Sequence, residues 1–101
     1  MPTRRVVLLG HPVAHSLSPR FQQAAIDAAR IDARYEALDV PPDELPERLA
    51  ELAAAGACGN VTVPHKEQVA LLCGRLTPVA SAVAAVNTFW VDRDGTLVGD
   101  N

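Results

Sequence analysis

Asn60-Val61-Thr62-Val63-Pro64-His65-Lys66 reads as the end of a short buried strand, carried by Val61 and Val63, followed at once by the start of a helix. Pro64 suits a first helical turn, where its missing N–H costs nothing. Lys66 is the only lysine, and the other eight basic residues, Arg4, Arg5, Arg20, Arg30, Arg34, Arg48, Arg75 and Arg93, are arginines. An amine can lose a proton when partly desolvated, whereas a guanidinium effectively cannot. Open α/β sheets bind ligands outside the carboxyl ends of their strands, so a strand end placed here makes Lys66 a candidate acid/base. A solvated lysine in a first helical turn is the plainer alternative.

Upstream of this stretch, Leu45, Leu49, Leu52 and Ala53 form the apolar stripe of a helix, with Glu47 and Glu51 on its wet side. Pro41-Pro42-Asp43 opens that helix and Gly56 stops it. Ala33 to Val40 alternates loosely and reads as a strand. Val6-Val7-Leu8-Leu9, closed by Gly10, has the continuous apolar character of a central parallel strand. Ser18-Pro19 is a cap followed by a first turn, and Phe21, Ala24, Ala25, Ala28 and Ala29 recur beyond it at helical spacing. Downstream, Val69, Leu71 and Leu72 read as the buried side of the helix begun at Pro64, with Gly74 as its stop. Thr77-Pro78 starts another helix running to about Ala84. Val86 to Val91 and Thr96 to Val98 are strands joined by the turn Asp92-Arg93-Asp94-Gly95, a hairpin. Alternating strands and helices predict an α/β fold: a three-layer open sheet, mostly parallel, with helices on both faces. Residues 1–101 make one domain. The chain stops at Gly99-Asp100-Asn101 directly after a strand, which predicts a piece cut from a longer protein.

Composition narrows the function classes. A net charge of -3, and no basic cluster beyond Arg4-Arg5, argue against nucleic acid. Four aromatics, Phe21, Tyr35, Phe89 and Trp90, are too few for a base-stacking platform. No apolar run approaches the ~18–20 residues that span a membrane. Cys58 and Cys73 have no His or Cys partners at metal spacing and read as reduced thiols of a cytoplasmic protein. No Gly-x-Gly-x-x-Gly and no Walker loop is present, so the domain is not expected to bind a dinucleotide by itself.

Uncharged polar side chains are scarce, and their positions are informative. Of three serines, Ser16 and Ser18 lie in the first loop; of three asparagines, Asn60 and Asn87 lie in or beside strands. Thr62 and Thr88 each sit within two residues of such an asparagine. In a parallel sheet these groups converge on one edge, and hydroxyls and amides around a single lysine suit a small polyhydroxy acid. Plainer roles compete: Ser18 as a helix cap, Asn60 bonded to its own loop. Asn87 in an apolar strand needs partners, since an unsatisfied buried amide costs on the order of 1–3 kcal/mol. His15 and His65 flank loop–helix junctions, where a structural hydrogen bond is commoner than acid/base work. Cys58 and Cys73 have no evident base beside them.

Four stretches carry a resemblance to a known family: Gly10-His11-Pro12-Val13-Ala14-His15-Ser16-Leu17-Ser18-Pro19, Gly59-Asn60-Val61-Thr62-Val63-Pro64-His65-Lys66, Ala85-Val86-Asn87-Thr88 and Gly99-Asp100-Asn101. The chain resembles the N-terminal, substrate-binding domain of the shikimate dehydrogenases, NADP-dependent enzymes of aromatic amino-acid biosynthesis. The resemblance implies that Ser16 and Ser18 hold the carboxylate of shikimate or 3-dehydroshikimate. It implies that Thr62, Lys66 and Asn87 contact the ring hydroxyls, with Lys66 in the proton transfer that accompanies hydride exchange with the nicotinamide. The family's partner aspartate would be the second residue past Asn101, and its NADP-binding domain would follow, so this piece alone is expected to be inactive. Two alternatives stand beside it: a stand-alone binding module for a hydroxylated carboxylic acid, and a relative that prefers quinate or uses NAD. The oligomeric state is left unassigned.

Overall fold

The apolar run Val6 to Leu9 forms the middle of β1 (Arg4–Gly10), from which the sheet grows in a computed structural model describing residues 4–13, 16 and 18–101. β2 (Ala33–Asp39) and β3 (Cys58–Val61) pair with β1 on either side, both parallel to it. β4 (Arg75–Leu76) runs parallel to β6 (Leu97–Asp100), and β5 (Thr88–Val91) lies antiparallel between β3 and β6. The six strands follow the order β2-β1-β3-β5-β6-β4, and β5 alone opposes the common direction. The class is α/β with an open, mostly parallel sheet, as the alternation predicts.

Four helices accompany the strands: α1 (Ser18–Ala28), α2 (Leu45–Ala54), α3 (Lys66–Leu72) and α4 (Pro78–Val83). α2 buries Leu45, Leu49 and Leu52, the stripe its spacing predicts, and ends before Gly56, whose φ of 70° suits the left-handed turn that follows. α4 is capped by Thr77, whose Oγ1 accepts from the Ala80 N–H at 3.3 Å, and Pro78 follows in the first turn. Register divides the sheet into two faces. Val7, Leu9, Val61 and Phe89 share one core with α2, with Val69 and Ala70 of α3 and with Ala80 of α4. The pairs Val6–Tyr35, Leu8–Asn60 and Asn60–Thr88 set Tyr35, Asn60 and Thr88 together on the opposite face.

Several expectations need correction. β3 stops at Val61, and Val63 is 68% exposed. The Thr62 N–H makes the last bond to β1, at 2.8 Å from the Leu9 carbonyl, after which the His65 N–H closes a turn on the Thr62 carbonyl. Pro64 therefore lies in that turn, and α3 begins at Lys66. α3 meets the core along Val69 and Ala70; Leu71, about 100° further round, is 86% exposed, and Leu72 is exposed as well. α1 buries none of its residues, and Phe21 is 70% exposed. The anchor there is polar: Gln23 donates from Nε2 to the Ala33 carbonyl and accepts the Tyr35 N–H on Oε1. That turns Gln23 to the sheet edge and sends Phe21, two residues back, round to solvent. Loose alternation gave β2 one residue too many, because Val40 leaves the strand while its N–H still bonds to the Gly10 carbonyl. The two-residue β4 left no readable pattern.

Candidate functional site

The carboxyl ends of β1 and β3 meet where the Thr62 N–H reaches the Leu9 carbonyl and the His11 N–H reaches the Val63 carbonyl. Gly10 closes this corner: a Cβ there would lie 2.3 Å from Val13 Cγ1 and 2.6 Å from Thr62 Cγ2. The loop after β1 thus packs on the Thr62 side chain. Ser16 is half-buried in that loop, and its Oγ accepts the Ser18 N–H at 3.2 Å, so Ser16 rather than Ser18 satisfies the first donor of α1. Ser18 is exposed at the helix start. His15 lies outside the described residues.

Lys66 opens α3 and is half-buried. Its carbonyl accepts the Val86 N–H at 2.9 Å, which lays the residue next to Asn87 against the lysine. Asn87 is itself pinned by its backbone, donating to the Asp100 carbonyl and accepting from Val61. The Asn101 side chain donates to the Ala85 carbonyl at 3.3 Å. An open cavity of about 380 Å³ lies beside the lysine, lined by Val63, Pro64, Lys66, Glu67 and Ala85. Among the described residues no carboxylate pairs with the Lys66 amine. The fold thus brings Thr62, Lys66 and Asn87 to one edge and hangs Ser16 on the loop that packs against it.

His65 is turned the other way. It is fully buried, and its Nε2 lies 2.6 Å from the Val40 carbonyl, so Nε2 carries a proton, while Nδ1 has no hydrogen-bond partner among the described residues. Its role is to tie the end of β2 to the start of α3. His11 Nδ1 meets Asp39 Oδ1 at 2.6 Å across the ends of β1 and β2, an exposed pair that sequence reading misses because its partners are far apart in the chain. Missed as well is Tyr35, a buried phenol whose hydroxyl donates to Asn60 Oδ1 at 2.8 Å.

Burial pushes the Tyr35 phenol and the Cys73 thiol above their usual ranges. The Thr77 hydroxyl, and then the Asn101 N–H, hold the Asp100 carboxyl below its usual range. Cys58 and Cys73 are free and half-buried. Among the described residues no His, Cys, Asp and Glu group could hold a metal, and no helix is long and apolar enough to cross a membrane. Gly10, the sole glycine between β1 and α1, is filled against Val13 and Thr62, so it offers no backbone to a pyrophosphate. A second open hollow of about 700 Å³ lies between α1 and β2, but Gln23, its central polar side chain, is already bonded to Asp27, Ala33 and Tyr35.

The family model described as "Shikimate dehydrogenase substrate binding domain" matches residues 8–89. A shikimate dehydrogenase (NADP(+)) of Rubrobacter xylanophilus is 48% identical over 100 residues, covering 98% of this chain and 35% of that protein. One from Anaeromyxobacter dehalogenans is 52% identical over 89 residues, covering 87% of this chain and 32% of that protein. The crystal structure of the Aquifex aeolicus shikimate dehydrogenase superposes with a TM-score of 0.93 at 37% identity, over 98% of this chain and 37% of that one. The Thermus thermophilus shikimate 5-dehydrogenase, solved with NADP(H) and shikimate, gives a TM-score of 0.90 at 40% identity, over 97% of this chain and 37% of that one. The chain spans about a third of the length of the curated relatives it matches.

Proposed function

Because the chain belongs to the shikimate dehydrogenase substrate-binding domain family, we propose that it supplies the substrate-binding part of an NADP-dependent shikimate dehydrogenase, which interconverts 3-dehydroshikimate and shikimate. The observation that supports this reading is that main-chain bonds bring Thr62, Lys66 and Asn87 to one sheet edge, with Lys66 half-buried and without a carboxylate partner among the described residues. A ring bearing several hydroxyls needs donors and acceptors in that density.

In this reading Ser16 and Ser18 hold the ligand carboxylate at the loop after β1. Thr62 and Asn87 orient the ring hydroxyls. Lys66 handles the proton, donating to the oxygen as it gains charge and taking the proton back in the reverse direction. The nicotinamide cofactor, held outside this chain, supplies or accepts the hydride. The two free cysteines suit a reducing, cytoplasmic setting.

Titrating shikimate into the ¹⁵N-labelled chain tests this. Shifts should cluster at Ser16 and Ser18, at 60–66 and at 86–88. Because this chain spans about a third of its relatives' length, its affinity should be at least ~10-fold below that of a full-length relative, since one hydrogen bond fewer to a charged group costs ~1.5–3 kcal/mol. A folded chain that gives no shifts at millimolar shikimate, or shifts centred on the hollow between α1 and β2, would overturn the reading.

A further inference from the structure

Four side chains, those of Tyr35, Asn60, Thr88 and Asn87, form a continuous hydrogen-bonded chain across the sheet. The Tyr35 hydroxyl donates to Asn60 Oδ1 at 2.8 Å, and Asn60 Nδ2 donates to Thr88 Oγ1 at 3.3 Å and to the Asn87 carbonyl at 3.3 Å. The Thr88 hydroxyl then donates to Asn87 Oδ1 at 3.1 Å. We propose that Tyr35 is a positioning residue for ligand binding: it helps set the direction of this chain so that the Asn87 amide turns its N–H donors, and not its oxygen, to the ligand.

The direction follows from counting protons. A phenol has one proton, and Tyr35 gives it to Asn60 Oδ1. That, together with the Asn87 carbonyl, which can only accept, fixes the Asn60 amide with its nitrogen toward β5. Thr88 Oγ1 receives one of those N–H groups, so its single proton is left for Asn87. Asn87 Oδ1 is thereby turned to Thr88, and among the described residues no group accepts from its Nδ2. Its two N–H donors stay available for an oxygen that accepts. A keto oxygen and a hydroxyl oxygen both accept, so one amide orientation serves both redox states of the ligand in the function proposed above, on which this inference rests. Without the phenol, Asn60 Oδ1 loses its donor, and only the 3.3 Å bond to the Asn87 carbonyl still holds the amide this way round, so Asn60 can reverse at the cost of that one bond and offer its oxygen to Thr88. Thr88 would then release Asn87, whose amide could turn its oxygen to the ligand. Burial supports the donor role, since the raised pKa keeps the phenol protonated.

Tyr35 is the only tyrosine, which makes the test clean. In the ligand-free chain, Tyr35→Phe and Thr88→Val should each shift or broaden the Asn87 side-chain NH₂ signals, whereas Thr88→Ser, which keeps the hydroxyl, should leave them in place. Shikimate affinity should fall about tenfold in the first two variants, the worth of one hydrogen bond. The double variant should be no worse than Thr88→Val alone, because both cut the same chain. Replacing the tyrosine with 3-fluorotyrosine changes little of its shape and reports on it directly. Its ¹⁹F signal should move on adding shikimate to the otherwise parental chain and to Thr88→Ser, and stay still in Thr88→Val. Unchanged Asn87 signals and affinity in folded Tyr35→Phe would overturn the proposal, and if that variant does not fold, a ¹⁹F signal indifferent to Thr88→Val would do so. If shikimate moves no resonance in any chain, the proposed function falls, and the ligand-free Asn87 signals still decide this inference.

Discussion

The Val86 N–H donates to the carbonyl of Lys66 at 2.9 Å. The first residue of α3 and the residue leading into β5 are thereby joined through main-chain atoms, whatever their side chains do. The main chain at Lys66 and the main chain leading into Asn87 are thus held together by a bond to which no side chain contributes. A site built this way keeps its geometry when a side chain is exchanged, and substitutions at Lys66 therefore report on chemistry more than on folding.

In an enzyme containing this domain, Lys66→Arg should lower turnover by roughly 10²–10⁴, the contribution of a lost acid/base group, while substrate binding weakens far less. The guanidinium keeps the charge and cannot give up its proton. Turnover near the parental rate would reduce Lys66 to a binding charge. Steady-state kinetics separating kcat from KM gives the answer.

Gly59 of β3 pairs with Val7 of β1. A Cβ there would fall 1.9 Å from the Val7 carbonyl oxygen, a backbone atom that cannot move aside. Gly59→Ala should therefore destabilise by about 3 kcal/mol or more, at the upper end of overpacking costs. Urea unfolding of the variant measures it, and a loss under ~1 kcal/mol would mean that the strands separate easily.

Acid should weaken the fold through Asp100 and Asp94, both held below the usual carboxylate range, Asp100 chiefly by the Thr77 hydroxyl and Asp94 chiefly by the Thr96 N–H. A lowered folded pKa means that the unfolded chain binds more protons in this window. The stabilisation is present above the unfolded value of 3.8 and is lost as pH falls through the folded pKa. Asp100→Asn with Asp94→Asn should flatten that limb of a plot of urea midpoint against pH. A limb of unchanged slope would place the acid sensitivity elsewhere.

Leu71→Ser and Phe21→Ser should each change stability by no more than ~0.5 kcal/mol, as exposed substitutions do. Leu49→Ala, at a fully packed position of α2, should cost about 2–5 kcal/mol. Equal losses at Leu71 and Leu49 would show that α3 buries a different face from the one seen here.

What was legible in the sequence was what neighbouring residues decide between themselves. The apolar run Val6 to Leu9, the Leu45, Leu49 and Leu52 stripe, the Thr77-Pro78 cap and the Asp92 to Gly95 turn each follow from periodicity or local hydrogen bonding, and each took its expected form. The same reading singled out Thr62, Lys66 and Asn87, because scarce polar residues at strand ends stand out against an apolar chain. Local pattern could not say which side of a short helix would be buried. Phe21 and Leu71 looked like core and face water, since Gln23 and Val69 made the contacts that oriented their helices. It could not orient His65, which turns inward because the Val40 carbonyl waits there for a donor. Nor could it join Tyr35 to Asn60 and Thr88. That chain exists only because β2, β1, β3 and β5 lie side by side in one register, and strand order is settled by long-range pairing that no single segment encodes.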